Sequence, residues 1–182
     1  MGKAIGMVEF QTVSTGMNGA DTMIKTAEVD IVECATVCPG KYIVIISGEI
    51  SAVKAAVDSA KIKFADKVID SFVLGNPHDS IFSAIYGATA PEGVEALGVM
   101  ESFSAATAIV AADAAAKTAL VELIELRLAR GMCGKSYLLL TGSVSAVTAA
   151  IERAKNEASD RGMLLDSSVI PRPDKKLWQS IL

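Results

Sequence analysis

The sequence predicts an α+β protein made of two tandem copies of one domain, each with a four-stranded antiparallel sheet and helices. Two observations carry this prediction. The 182 residues repeat themselves at a nearly constant offset, and both halves show the same order of strand-like and helix-like segments. We therefore expect a first domain at residues 1–89 and a second at 95–182, with the connector between the repeats at 87–95.

The repeat is visible as matching residues that keep their order along both halves. The segment AIGMVE at 4–9 matches ALGVME at 96–101, an offset of 92. After a two-residue insertion the offset is 94, so that Gly40-Lys41 matches Gly134-Lys135. A second insertion raises the offset to 96, and Pro77 then matches Pro173. Ordered matches with two small insertions indicate a duplication.

Each element in the first part of a copy has a local reason. The apolar run 3–11, with β-branched residues, predicts a strand. Apolar residues at helical spacing predict a helix over 17–27, with a face made of Ala20, Met23, Ile24 and Ala27. Two β-rich runs follow at 31–37 and 42–47. Between them, the segment Cys38-Pro39-Gly40-Lys41 is a turn signal.

A second helix, a fourth strand and a short helix complete the first copy. Ser51 is a natural N-cap, and the apolar face after it contains Ala52, Val53, Ala56, Val57 and Ala60. Strand 68–74 and a short helix at about 79–86 follow. The second copy repeats this series, with strands predicted at 97–102, 121–128, 136–141 and 163–170, helices at 105–117 and 145–159, and a tail helix around Leu177.

Composition excludes several classes of protein. Lys and Arg number 17 against 21 Asp and Glu, and the net charge of −4 offers no electrostatic footprint for nucleic acid. The longest uncharged run, 136–151, is too short for a membrane-spanning helix and is interrupted by polar residues. The hydrophobic fraction of 51% is therefore expected to be buried in a core and between subunits.

The cysteines and the histidine limit the kinds of metal site and catalytic site that the chain can form. Three cysteines without a CxxC pair, behind an N-terminus that lacks a signal-peptide pattern, predict free thiols in a reducing cytosol. Cys34 lies in an apolar strand and is expected in the core. The single histidine, His78, cannot build a His-rich metal site or a triad, and we expect it in a surface loop. A small enzyme or a ligand sensor is the least favoured functional hypothesis, because neither repeat shows a phosphate-binding loop or a paired acid–base set.

The element order and several short motifs resemble the shell domain of bacterial microcompartments, which has a ferredoxin-like fold. The motifs are Ala4-Ile5-Gly6 with Glu9, Met23-Ile24-Lys25-Thr26-Ala27, Pro39-Gly40-Lys41 and Val169-Ile170-Pro171-Arg172-Pro173. The resemblance covers nearly the whole chain, twice. It implies a structural protein, not an enzyme, in the shell of a microcompartment in the bacterial cytoplasm.

The resemblance also implies how the chain assembles. Six domains of this family form a flat hexagonal tile with a central pore, so two domains per chain imply a pseudohexameric homotrimer whose rotation closes. The tile would meet other shell proteins edge to edge. The implied edge contacts are Lys25 and Lys117, together with Arg172 and its counterpart Asn76. Without the resemblance, these positions are ordinary solvated surface residues.

The loop between the second and third strands is the implied pore loop. It contains Cys38, Pro39, Gly40 and Lys41 in the first domain, and Met132, Cys133 and Gly134 in the second. Three thiolates that meet on a threefold axis form a soft site, suited to Zn²⁺ or an iron–sulfur cluster. The resemblance implies a [4Fe–4S] cluster at Cys38, one per trimer on the threefold axis. We expect the backbone N–H groups of Gly40 and its neighbours to donate to the sulfides. Such a cluster would carry electrons across the shell to redox enzymes in the lumen, or be delivered to enzymes there.

Two alternatives stay open for this loop. Cys133 is a rival ligand, because it lies next to the position aligned with Cys38. Cys38 is otherwise a free thiol, since single cysteines commonly act as small hydrophobic residues. In that case the protein is a plain pore tile that conducts small polar metabolites and has no metal centre.

Overall fold

A computed structural model describes residues 4–87, 89, 91, 93 and 95–181 of the chain. The predicted strand start at Lys3, the connector positions 88, 90, 92 and 94, and residue 182 lie outside the described residues. Within the described ranges, no helix combines the length and the apolar character that a membrane crossing requires.

The first repeat folds in the predicted order of elements. These are β1 (Ala4–Phe10), α1 (Val13–Thr26), β2 (Asp30–Val37), β3 (Lys41–Gly48), α2 (Ile50–Lys63), β4 (Val68–Leu74) and α3 (Ser80–Ile85). The strands pair antiparallel in the order β2-β3-β1-β4. Every residue of the central strand β1 is buried. This burial explains why the strand carries no alternating polar residues and why Glu9 is its one charged residue.

The second repeat has the same architecture. Its elements are β5 (Ala96–Ser102), α4 (Ala105–Thr118), β6 (Val121–Arg127), β7 (Ser136–Gly142), α5 (Val144–Asp160), β8 (Leu164–Pro171) and α6 (Lys175–Ile181). Its strands are also antiparallel and follow the order β6-β7-β5-β8, which is the order of the first sheet at equivalent positions. The predicted fold class is confirmed.

Helix α1 starts at Val13, four residues earlier than predicted. The Thr12 side chain accepts a hydrogen bond from the Thr15 N–H, which satisfies one of the unpaired donors of the first turn. Met23 is completely buried, as the helical spacing predicts. Ile24 is 44% exposed, however, and its predicted place on the buried face is wrong.

Helix α2 also starts before its predicted N-cap. It begins at Ile50, after Glu49, whose side chain makes no capping hydrogen bond. Ser51 therefore lies inside the first turn, and its prediction as N-cap is wrong. In the second repeat, the Ser143 side chain accepts a hydrogen bond from the Ala146 N–H and caps α5.

The core of the first repeat lies between the sheet and helices α1 and α2. Its buried members are Ala4, Val8, Phe10, Ala20, Met23, Tyr42, Val44, Ile46, Val53, Ala56, Val57 and Ala60. Gly6 on β1 permits the close approach of α2, because a Cβ there would lie 2.6 Å from Val53 Cγ1. Gly98 on β5 does the same for α5, where a Cβ would lie 2.7 Å from Ile151 Cγ1. The matched glycines of the two repeats are thus packing requirements.

The compact units of the fold do not coincide with the sequence repeats. One unit comprises the chain up to Pro77 together with Ala129–Gly134, and the other comprises His78–Leu128 and the chain from Lys135 onward. Helix α3 therefore belongs to the second unit, where it packs against β6 and α4. The predicted domains at 1–89 and 95–182 follow the duplication, whereas packing assigns two short segments to the opposite unit.

Candidate functional site

The loop between β2 and β3 is a tight turn that carries Cys38. The peptide bond between Cys38 and Pro39 is cis, and Gly40 has a φ of 105°, a backbone conformation that favours glycine. The Gly40 N–H donates to the Val37 carbonyl at 2.9 Å. The turn leaves Cys38 partly accessible next to the end of the strand.

Residues Ala129–Gly134, from the loop before β7, pack directly on this turn. The Cys38 N–H donates to the Ala129 carbonyl at 3.1 Å. Gly134 is buried with a φ of 87°, and a Cβ there would lie 3.1 Å from Pro39 Cδ and 3.2 Å from the Cys38 carbonyl oxygen. Glycine is therefore required at this contact. The two predicted pore loops come together within one compact unit.

A buried ion pair attaches the turn to the central strand. Glu9 on β1 is completely buried, and its Oε1 lies 2.9 Å from Lys41 Nζ. The same ammonium group donates to the Gly134 carbonyl at 3.4 Å. Lys41 thus connects β1, the Cys38 turn and the loop that covers it. Removing one partner of such a pair is costly, because the remaining charge is then buried alone.

A depression opens beside Cys38. It is lined by Thr36, Val37, Cys38, Pro39, Gly40, Arg130 and Gly131. Arg130 forms an ion pair with Glu33 on β2. The second carboxylate oxygen of Glu33, Oε2, is buried and has no hydrogen-bond partner among the described residues. The depression therefore offers space next to one thiol, with a guanidinium group at its rim.

One Cys38 thiol per chain is too few ligands for a metal centre within a single chain. In the part of one chain that the structure describes, no group of three His, Cys, Asp or Glu side chains could hold a metal ion. One partly accessible thiol per chain fits a shared site, because iron–sulfur clusters take cysteine thiolates as ligands. The Gly40 N–H already donates to the Val37 carbonyl. It is not free for the hydrogen bond to a sulfide that the sequence led us to expect.

The other two cysteines lie in different surroundings. Cys34 is half-buried and packs against the core of the first repeat. Burial raises the pKa of its thiol, which disfavours the reactive thiolate. Cys133 is exposed with a φ of 52°, in the loop that covers the Cys38 turn. His78 is exposed in a loop, as predicted.

Both predicted edge lysines pair with an aspartate one helical turn earlier. Lys25 Nζ lies 2.8 Å from Asp21 Oδ2, and Lys117 Nζ lies 2.7 Å from Asp113 Oδ2. The Lys25 side chain is 74% exposed and that of Lys117 is 43% exposed. The Lys25 pair is exposed on both sides and contributes little to stability, whereas Asp113 in the other pair is buried. Both ammonium groups are therefore accessible to a neighbouring protein.

The other predicted edge residues follow the last strand of each sheet. Asn76 is exposed. Arg172 is also exposed, has a φ of 48°, and its N–H donates to the Glu95 carbonyl at 2.8 Å. Arg172 borders a depression of the second unit that is lined further by Gly93, Glu95, Leu120, Val121, Glu122, Thr141 and Gly142. An edge role for Asn76 and Arg172 stays a prediction.

A polar cluster on the second sheet was not predicted from the sequence. The Tyr137 hydroxyl donates to Glu125 Oε2, and Arg127 Nε donates to Glu125 Oε1 at 2.8 Å. The Arg127 guanidinium lies over the Tyr137 ring, 5.4 Å from its centroid. Burial and, second, the hydrogen bond to Glu125 raise the pKa of Tyr137 to about 12. The cluster ties β6 to β7.

Comparison with known proteins finds relatives over the whole chain. The BMC domain matches twice, at residues 4–77 and 96–173. The bacterial microcompartment shell protein PduT of Citrobacter freundii is 36% identical over 182 residues, which are 100% of this chain and 99% of that protein. A crystal structure of a microcompartment protein from Desulfitobacterium hafniense is 44% identical, with a TM-score of 0.86, and the match covers 98% of this chain and 99% of that one. The fused permuted hexameric shell protein MSM0275 shares the fold at 23% identity, with a TM-score of 0.65, over 87% of this chain and 82% of its own.

Proposed function

The chain belongs to the BMC-domain family and is a structural shell protein of a bacterial microcompartment, and we propose that three copies form one tile that holds a [4Fe–4S] cluster at Cys38. Membership rests on two domain matches and on a relative that is similar over its full length. One observation carries the cluster. Each chain presents a partly accessible thiol on a turn that hydrogen bonds and a buried ion pair hold in place.

The tile is supported by the duplication and by the surface. Two equivalent domains per chain produce a pseudo-sixfold ring from three chains, and such a ring closes without further growth. Lys25, Lys117, Asn76 and Arg172 are at least partly exposed and can contact other shell proteins at the tile edge. The role is structural and does not require turnover of a substrate.

The cluster is supported by the chemistry of the donors. Three Cys38 thiolates, one per chain, would ligate three irons and leave the fourth to a small exogenous ligand. When bound, the group supplies one-electron transfer between the two faces of the shell. The protein orients the thiol through the hydrogen bond from the Cys38 N–H to Ala129. Arg130 lines the same depression, and its charge is compensated by the ion pair with Glu33.

Anaerobic purification with iron and sulfide analysis tests this proposal. The wild-type trimer, as purified or after reconstitution, is expected to contain about four irons and four sulfides. Visible absorption and an EPR signal after reduction should accompany them. Cys38→Ser should lose all of these while light scattering still reports a trimer. Cys34→Ser and Cys133→Ser are matched controls that should retain the cluster.

Three results would contradict the proposal that Cys38 ligates a [4Fe–4S] cluster. Loss of iron in Cys133→Ser but not in Cys38→Ser would assign the ligand to the rival cysteine. Zinc in place of iron, lost with Cys38, would point to a redox-inactive site. A wild-type trimer that contains no metal after reconstitution would leave a plain pore tile for small polar metabolites, with Cys38 as a free thiol.

A further inference from the structure

The two repeats place equivalent helices in unequal surroundings. Helix α3 follows β4 and packs against β6 and α4, and its residues Ile81 and Ala84 are completely buried. Helix α6 follows β8 at the equivalent position, but none of its residues in Lys175–Ile181 is buried. Leu177, the counterpart of Ile81 at an offset of 96, is 41% exposed. Trp178 and Ile181 of α6 are partly buried against the cluster Leu97, Ile124 and Leu139 of the second repeat. Helix α3 is therefore fully packed on one side, whereas α6 leaves Leu177 exposed.

The surface that receives α3 has an open counterpart on the first repeat. Three apolar positions of α4 and β6 are at most 9% exposed: Ile109, Ala116 and Leu123. Their counterparts, 92 residues earlier on α1 and β2, are 57%, 44% and 47% exposed: Met17, Ile24 and Ile31. Met17 and Ile24 lie on α1, and Ile31 lies on the strand β2, which contacts α1. Large apolar side chains at such exposure on adjoining elements are typical of a surface that another protein covers.

A polar contact shows the same inequality. The N–H of His78, two residues before α3, donates to Asp113 Oδ1 at 2.7 Å, and Asp113 is 5% exposed. The counterparts are Asp174, immediately before α6, and Asp21 on α1. The Asp21 side chain is 58% exposed, and among the described residues its Oδ1 receives no hydrogen bond. Asp21 therefore has one oxygen available to a donor from outside the chain.

The lysines of the two pore loops follow the same pattern. Lys41 pairs with buried Glu9 and reaches the Gly134 carbonyl. Their counterparts Lys135 and Glu101 form no ion pair with each other in the described part of the chain, and Lys135 is exposed. The position equivalent to the Gly134 acceptor is Gly40.

We infer that the open surface of α1 and β2 binds α6 of a second copy of this chain. At this contact the Asp174 N–H of one chain donates to Asp21 of the next, and Lys135 of the first reaches the Gly40 carbonyl of the second. Each chain contributes its α6 to one neighbour and its surface of α1 and β2 to the other neighbour. The contact is therefore heterologous and identical at every subunit boundary. The inference rests on the proposed ring of three chains and is independent of the cluster. It places a lysine of the neighbouring copy beside each Cys38 turn.

Engineered cysteines test the contact. They are placed in a protein that carries Cys38→Ser and Cys133→Ser, so that the result does not depend on a bound cluster. Asp21→Cys combined with Asp174→Cys is treated with a short bismaleimide. More than half of the chains are expected to run as covalent dimers and trimers on a denaturing gel. Asp21→Cys and Asp174→Cys alone should give none of these bands. His78→Cys with Asp113→Cys is the matched control, because its contact lies within one chain and should link without a change in chain number.

The outcomes separate this inference from the proposed tile. If the control pair links and the parent protein is trimeric in solution, but the Asp21/Asp174 pair stays monomeric on the gel, the α6 contact is wrong and the ring stands. Linking of the Asp21/Asp174 pair within a single chain would also refute the contact. A wild-type protein that is monomeric in light scattering would overturn both. Whether the protein binds a cluster is tested separately, by the iron and sulfide content.

Discussion

Replacing Lys41 with Met is expected to destabilise the first unit, because it leaves the Glu9 carboxylate buried without its cation. Glu9 is completely buried, and the Lys41 side chain is 17% exposed. Removing one partner of a buried pair costs about 3–5 kcal/mol. The residual exposure of Lys41 favours the lower end, about 3 kcal/mol. With an m value of about 2 kcal/mol/M, the midpoint of urea unfolding should fall by about 1.5 M.

The measurement is urea unfolding followed by circular dichroism, at one chain concentration because assembly adds stability. Lys25→Met is the control. Its pair with Asp21 is exposed on both sides, so the change should be within about 0.5 kcal/mol. Glu9→Gln combined with Lys41→Met should recover at least half of the loss, since glutamine keeps the polar shape without the charge. A Lys41→Met protein as stable as wild type, or a double variant no better than the single one, would refute the reasoning.

Two further perturbations probe the second repeat. Its stability should fall as pH rises from about 10 to about 12, because unfolded tyrosine ionises near pH 10 whereas folded Tyr137 keeps its proton to about 12. The part due to Tyr137, about 1 kcal/mol after allowance for solvent exposure, should be absent in Tyr137→Phe, and identical pH profiles would contradict this. Gly98→Ala should lower stability by about 1–3 kcal/mol in thermal unfolding, because the new methyl meets Ile151 and Leu140 at under 3 Å. Gly75→Ala is the control. Its new methyl would lie 3.3 Å from Ile50 Cδ1, so the stability should change little.

Local pattern was sufficient to predict the elements of this fold. The strands are apolar runs with β-branched residues, and β4 begins and ends as predicted because turn residues border it. The helices follow from 3.6-residue spacing, although that spacing does not say what covers each face. Ile24 lies on the predicted face of α1 and is nevertheless 44% exposed. The prediction of Ser51 as N-cap of α2 was wrong for a related reason, because the residue at which a helix starts depends on the turn before it.

The site was only partly predictable. The motif places Cys38 in a turn, and the structure agrees. The covering segment Ala129–Gly134 and the packing of α3 on β6 are contacts between distant parts of the chain, and such contacts have no periodic signal. Glu9 and Lys41 recur at matched positions as Glu101 and Lys135. Of these two pairs, only Glu9 and Lys41 form an ion pair with each other in the described part of the chain, so the recurrence alone does not predict the contact.

The covering of the Cys38 turn by a later part of the chain has a consequence for biosynthesis. The acceptor for the Cys38 N–H is Ala129, 91 positions downstream (129 − 38). Because the N-terminal part of a chain leaves the ribosome first, the first sheet can form while its thiol turn still lacks that acceptor and the Gly134 contact of Lys41. The turn reaches its final form only after the chain has been translated beyond Gly134. Any cofactor that needs this turn is therefore inserted after that point, and a truncated first repeat should not acquire it.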